Sequence, residues 1–267
     1  MENSQIISYV LAVFVGITMG LIGSGGSILS VPIFAYVVGV DPVLATAYSL
    51  FAVGTTALFG GIQKAQQKLV DFKKVILFGI PTLISVFLTR KYIVKALPEN
   101  IFSISSFTMK KSVLIMIVFA VVMIAAAFKM IKPSAETTHK NESKKSYITI
   151  LFLAILIGLI AGFVGAGGGF LIIPALLLYT KIPMKTAVGT SLFIVAIQSL
   201  SGFLGDLSNN YSMDWKLLIG FSACSIIGVL IGNVLSKKIE GSKLRTGFGY
   251  FVLVMGVYII IKELFLK

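Results

Sequence analysis

The sequence predicts an all-α polytopic membrane protein made of two homologous, inverted repeats, and three observations carry that prediction. Hydrophobic residues fill 57% of the 267 positions and charged residues only 12%, with a mean hydropathy of +1.00. That is more apolar than a water-soluble domain of this size sustains. Several apolar stretches reach 18 residues or more, close to the roughly 20 residues of helix needed to cross a ~30 Å hydrocarbon core. The third observation is that two glycine-rich segments recur at a fixed spacing.

Taken in order, the apolar segments run at about 6 to 22, 27 to 40, 43 to 62, 74 to 94, 112 to 131, 147 to 164, 168 to 180, 186 to 205, 216 to 235 and 246 to 265. The first segment has no Lys or Arg ahead of it, so it reads as a retained helix rather than a cleaved signal. Residues 132 to 146 (KPSAETTHKNESKKS) carry mixed charge without apolar periodicity, the pattern of a solvated linker. They separate a first membrane repeat, 1 to 131, from a second, 147 to 267.

The halves align. GLIGSGGSILSVPIF, from Gly20, lies on GFVGAGGGFLIIPAL, from Gly162, and the same offset of 142 places Ala45 to Phe51 (ATAYSLF) on Ala187 to Phe193 (AVGTSLF). One residue of slippage later, Val70 to Lys73 matches Met213 to Lys216. A match spanning most of each half indicates an ancient duplication.

Charge addresses the orientation of the repeats. If the short segments 27 to 40 and 168 to 180 merely complete the preceding crossing, each half has four crossings and Lys plus Arg divide 12 to 11. Counted as separate crossings they give five per half and a 15 to 8 division, which follows the positive-inside rule and makes the repeats inverted. The side rich in cations, taken as cytoplasmic, then carries Lys64 to Lys74, the linker, Lys181, Lys185 and Lys237 to Arg245. The net charge of +13 is accounted for by these flanks, with no nucleic-acid partner implied.

The candidate site is the pair of glycine clusters, Gly23-Ser24-Gly25-Gly26-Ser27 and Gly165-Ala166-Gly167-Gly168-Gly169, each followed by an apolar segment with a proline, Pro32 or Pro174. A helix interrupted inside a membrane must have its freed backbone groups received by protein or a wet cavity. Restarted after the break, it presents unpaired N–H groups at the positive end of its dipole, a geometry that binds anions. Two such breaks would face one shared site, through Ser24, Gly25, Gly26 and Ser27 on one side and Gly167, Gly168 and Gly169 on the other. Ser49 and Ser191 superpose under the repeat offset and supply candidate hydroxyls, with Thr46, Tyr48 and Thr190 nearby and Gln198 two turns further on. By contrast, Gly16 and Gly20, Gly158 and Gly162, and Gly228 and Gly232 have the spacing of close helix packing, within the chain or in a homo-oligomer.

Other chemistries find little support. All ten carboxylates fall at segment ends or in loops, Asp206 being the nearest to a membrane interior, so no cation or proton relay is evident. No Lys or Arg is expected mid-span, and a bound anion would be held by backbone N–H groups and hydroxyls. Cys224 stands alone, which leaves no disulfide framework and no paired-cysteine metal site. His139, the one histidine, lies in the linker, so a hydrolase built on Ser24 would lack a base. No GxxxxGK[ST] phosphate loop, cofactor motif or metal-ligand spacing occurs. The residues leave a carrier or an anion channel, and less readily a membrane enzyme or accessory subunit.

The paired motifs GLIGSGGSILSVP and GFVGAGGGFLIIP, each followed by A-x-x-x-S-L-F, resemble the TauE/SafE sulfite exporter family, over nearly the whole chain. The resemblance implies a multi-pass permease of the prokaryotic cytoplasmic membrane, with a small sulfur-containing anion such as sulfite, thiosulfate or a sulfonate as substrate. The first motif has Ser27 where the second has Gly169, so Ser27 either adds a donor to the site or caps its helix.

Overall fold

A computed structural model describes residues 2 to 104, 107 to 131, 147 to 180, 182 to 207, 213 to 236 and 241 to 265. The linker with His139, and Lys181, lie outside these. Ten α-helical elements and one hairpin follow along the chain: α1 (Glu2–Ile22), α2 (Ser30–Pro32), α3 (Pro42–Gln66), α4 (Phe72–Leu88), β1 (Asn100–Ile104), β2 (Phe107–Lys110), α5 (Lys111–Ile131), α6 (Tyr147–Val164), α7 (Gly169–Thr180), α8 (Met184–Leu207), α9 (Trp215–Leu235) and α10 (Gly241–Phe265). A 3₁₀ segment, Gly23–Leu29, joins α1 to α2, and π-helical segments Ile33–Val38 and Thr89–Val94 extend α2 and α4. The antiparallel hairpin β1–β2 has no counterpart in the sequence reading, which left residues 95 to 111 as a connection.

Among the described residues, six helical stretches are long and apolar enough to cross a membrane, among them Gln5–Val38, Phe72–Val94 and Met184–Leu207. Their outward residues, including Ile80, Leu204 and Val234, are apolar and exposed, as a lipid-facing surface requires. The chain is a multi-pass, all-α membrane protein.

Helix starts are set by carboxylates. Asp41 accepts the Val43 and Leu44 N–H groups at 2.9 and 3.4 Å ahead of Pro42. Asp71 accepts Lys74 N–H at 3.2 Å and Asp214 accepts Leu217 N–H at 3.0 Å. Each satisfies a donor that no preceding helical turn could.

Packing follows the duplication. α1 lies along α9 and α4 along α6; since α1 corresponds to α6 and α9 to α4, one pairing is made twice. At the first contact a methyl group on Gly16 would sit 2.9 Å from Gly228 Cα, and one on Gly20 2.7 Å from the Gly232 carbonyl carbon, so the backbones meet without side chains between them. At the second, Gly158 rests on Thr82 and Ser85, and Gly162 on Val86 and Thr89. α3 and α8, themselves repeat equivalents, pack antiparallel: Gly54 meets Leu200, Gly60 meets Leu192, Gly61 meets Phe193 and Gly189 meets Lys64.

Candidate functional site

The two glycine clusters meet where the halves join: Gly23 lies against Ile173, Val188 and Ser191, and Gly165 and Gly167 against Thr46 and Val53. The second cluster is an open turn: Gly165, Gly167 and Gly168 have φ of +74°, +68° and +60°, a left-handed backbone that a Cβ would strain. The first intrahelical bonds of α7 run from the Leu171 and Ile172 N–H groups to the Gly168 carbonyl at 2.9 and 3.3 Å, so the Gly169 and Phe170 N–H groups lie ahead of the helical ladder.

The first cluster differs from the expected break. Gly23, with φ of +79°, bends the chain, but Gly23–Leu29 continues as a tightened 3₁₀ helix with no side-chain cap. Serines explain the difference. Ser24 Oγ donates to the Gly169 carbonyl at 3.1 Å and Ser27 Oγ donates to the Ala166 carbonyl at 2.7 Å. Under the 142-residue offset Ser24 corresponds to Ala166 and Ser27 to Gly169, so the two bonds are equivalents of each other. Both donors come from the first cluster and both acceptors from the second. Ser27 therefore neither caps its own helix nor points into open space; it ties one cluster to the other.

Around this junction stand residues of α3 and α8. A methyl group on Gly167 would lie 2.8 Å from Ser199 Oγ and 2.9 Å from Val53 Cγ1, and one on Gly168 3.2 Å from Gln198 Nε2. Gln198 Nε2 donates to the Gly167 carbonyl. Ser191 approaches Gly23 but turns its hydroxyl back to the Val188 carbonyl at 2.8 Å. Ser49 Oγ, Gln198 Oε1 and Ser199 Oγ are buried with no hydrogen-bond partner. Buried acceptors and hydroxyls left unpaired are costly, and two of them, on Gln198 and Ser199, stand beside Gly168 and Gly167 as contacts for a polar guest. Gly25 has only Ile22 Cγ2, 3.6 Å away, as a neighbour for an added methyl group, whereas Gly26 is pressed on Thr18 and Met19.

Two expected residues serve elsewhere. Thr190 Oγ1 accepts the Asp71 N–H at 3.0 Å, and Tyr48 OH, its repeat equivalent, accepts the Asp214 N–H at 2.6 Å. Each half thus steadies the helix start of the other.

A correction concerns charge. Contrary to the expectation of no cation inside a span, Arg90 is fully buried within Phe72–Val94. Its Nε donates to Asp206 Oδ2 at 2.7 Å and its Nη2 lies 2.5 Å from the same oxygen. Nη1 donates to Thr46 Oγ1 at 3.0 Å and to the Gly162 carbonyl at 3.4 Å. Thr46 in turn abuts Gly165. A signal did exist: Arg90 and Asp206 correspond to Asn233 and Lys64, polar residues at matched depth in each repeat. At that other end Lys64 Nζ donates to Ser236 Oγ at 3.1 Å and Asn233 Nδ2 to Gln63 Oε1. Among the described residues no group of three or more His, Cys, Asp or Glu could hold a metal ion.

A multi-pass helical bundle whose halves meet at two buried glycine turns, with polar groups unpaired around them, is the architecture of a membrane transporter. Residues 8–259 match the model of the TauE/SafE sulfite exporter family, and the chain belongs to that family. It is 30% identical over 252 residues to a probable membrane transporter protein of Xylella fastidiosa (strain 9a5c), covering 92% of this chain and 91% of that one. The probable membrane transporter protein YunE of Bacillus subtilis (strain 168) is 23% identical, with 98% and 99% covered, and a probable membrane transporter protein of Methanocaldococcus jannaschii is 24% identical, with 94% and 95% covered. No solved structure matches the chain. These relatives and the apolar helices make it a cell-membrane transporter.

Proposed function

We propose that the chain is a secondary transporter of small sulfur-containing anions, such as sulfite, thiosulfate or a sulfonate, working by alternating access between inverted repeats. The observation that carries this reading is the junction itself: two glycine clusters, tied by the reciprocal Ser24 and Ser27 bonds, buried on every side among unpaired polar groups. A closed centre flanked by matched halves is what an occluded carrier has between its two open states. Antiparallel packing of the equivalent helices α3 and α8 supports the inversion, because a repeat and its inverted copy run in opposite directions through the bilayer.

In this reading the anion contacts the Gly167, Gly168 and Gly169 backbone, Ser49, Gln198 and Ser199 once the serine ties open. Export needs no coupling ion: a divalent anion leaving an inside-negative cell gains about 4.6 kcal/mol at ~100 mV. The test is flux of sulfite and thiosulfate from proteoliposomes. Wild-type protein should show saturable flux with counter-transport, and Gly167→Val should lose it while inserting normally, since its side chain would strike Ser199 and Val53. Undiminished flux in that variant would remove the site, and non-saturable flux without counter-transport would make the protein a channel.

A further inference from the structure

The Arg90 guanidinium has more donor capacity than its surroundings use. Nε and Nη2 both converge on one oxygen, Asp206 Oδ2, although this edge of a guanidinium matches an oxyanion presenting two oxygens side by side. Arg90 is fully buried and Asp206 1% exposed. A buried ion pair is weak as a source of stability, because desolvation of both charges offsets their attraction, so its presence within a span points to a different task. Its location supplies one. Through Nη1 it reaches Thr46, which abuts Gly165 at the start of the open glycine turn, and the Gly162 carbonyl one turn before it.

We propose that Arg90 is the residue that receives the anion beside the second glycine turn, and that Asp206 occupies its guanidinium in place of the anion in this closed conformation. The inference rests on the transport reading above. A sulfite or thiosulfate oxygen pair replaces the Asp206 carboxylate on the Nε–Nη2 edge, and the freed α8 end moves from α4, where a methyl group added to Gly205 would lie 3.2 Å from Arg90 Cβ. The opposite end of the junction is built differently: its repeat equivalents are Asn233 and Lys64, which bond Gln63 and Ser236.

The test is sulfite and thiosulfate binding to purified protein in lipid nanodiscs, by calorimetry, with flux measured in parallel. Asp206→Asn removes the internal competitor and should bind sulfite at least ten-fold more tightly than wild type. The paired variant Arg90→Gln with Asp206→Asn keeps size and neutrality and should lose binding at least ten-fold relative to Asp206→Asn alone. Unchanged or weaker sulfite binding in Asp206→Asn overturns the proposal, and so does wild-type binding in the paired variant. The single variant decides the matter if the paired one does not fold. Absence of both binding and flux in wild type for every sulfur anion would instead defeat the transport reading itself.

Discussion

At the residue scale, the two glycine clusters are not interchangeable sets of small residues. Gly169 faces Ser24 so closely that a methyl group would overlap it, while a methyl group on Gly25 would stand 3.6 Å from its nearest neighbour. Gly169→Ala should therefore cost about 1–3 kcal/mol through overpacking and depress transport, whereas Gly25→Ala should leave both melting temperature and flux near wild type. Thermal unfolding in detergent checks the first quantity, and reconstituted flux the second. The serines make a related point. Under the repeat offset Ser24 and Ser27 correspond to Ala166 and Gly169, so a duplicated segment has become the donor on one side and the acceptor on the other. The sequence showed the substitution but not the direction in which the hydroxyls turn, because that depends on which segment lies opposite.

At the element scale, small residues set how closely helices pack, and the tolerance of each glycine follows from what faces it. Gly16→Leu would drive a side chain into the Ser225 carbonyl and the backbone at Gly228, forcing α1 from α9. Gly247 on α10 is exposed with nothing within 4 Å, so Gly247→Ala should be neutral or stabilising by about 0.5–1 kcal/mol through helix propensity. Comparing the yield of folded protein on size exclusion for the two variants tests both expectations. The helices themselves were legible in the sequence because lipid imposes long apolar runs: the ten expected segments fall within a few residues of the observed helical stretches. The β1–β2 hairpin was not, since nine short-range residues near a charged connection carry no comparable constraint. Nor was the 3₁₀ continuation at Gly23–Leu29, which depends on the Ser24 and Ser27 bonds to a distant segment rather than on local preference.

At the scale of the whole molecule, the buried Arg90–Asp206 pair shows where reading by composition fell short. A single Arg near the end of an apolar span looks like a flanking charge, and only the fold brings Asp206, 116 positions away, against it. The duplication, by contrast, was visible throughout, and its proposed inversion makes a topological prediction. In a Cys224→Ser background, cysteines placed at Lys68 and Lys185 should be labelled by a membrane-impermeant thiol reagent from one side of the membrane. Those at Lys95 and Lys216 should be labelled from the other, since the loops before α4 and α8 share one end and those after α4 and before α9 share the opposite end. Labelling of Lys68 together with Lys216 from one side, and of Lys185 together with Lys95 from the other, would replace inversion with parallel repeats.

The exchange in which Asp71 N–H meets Thr190 while Asp214 N–H meets Tyr48 reaches back before the two halves shared a chain. Each helix start depends on a side chain that its own half does not contain. In the proposed inverted arrangement, an unduplicated ancestor would have met that need by pairing with a second copy of itself lying upside down, and its population would have inserted in both orientations. Fusion through residues 132 to 146 then freed each half to specialise, which is how a carboxylate could come to face an arginine at one end while a lysine stands at the matching position of the other.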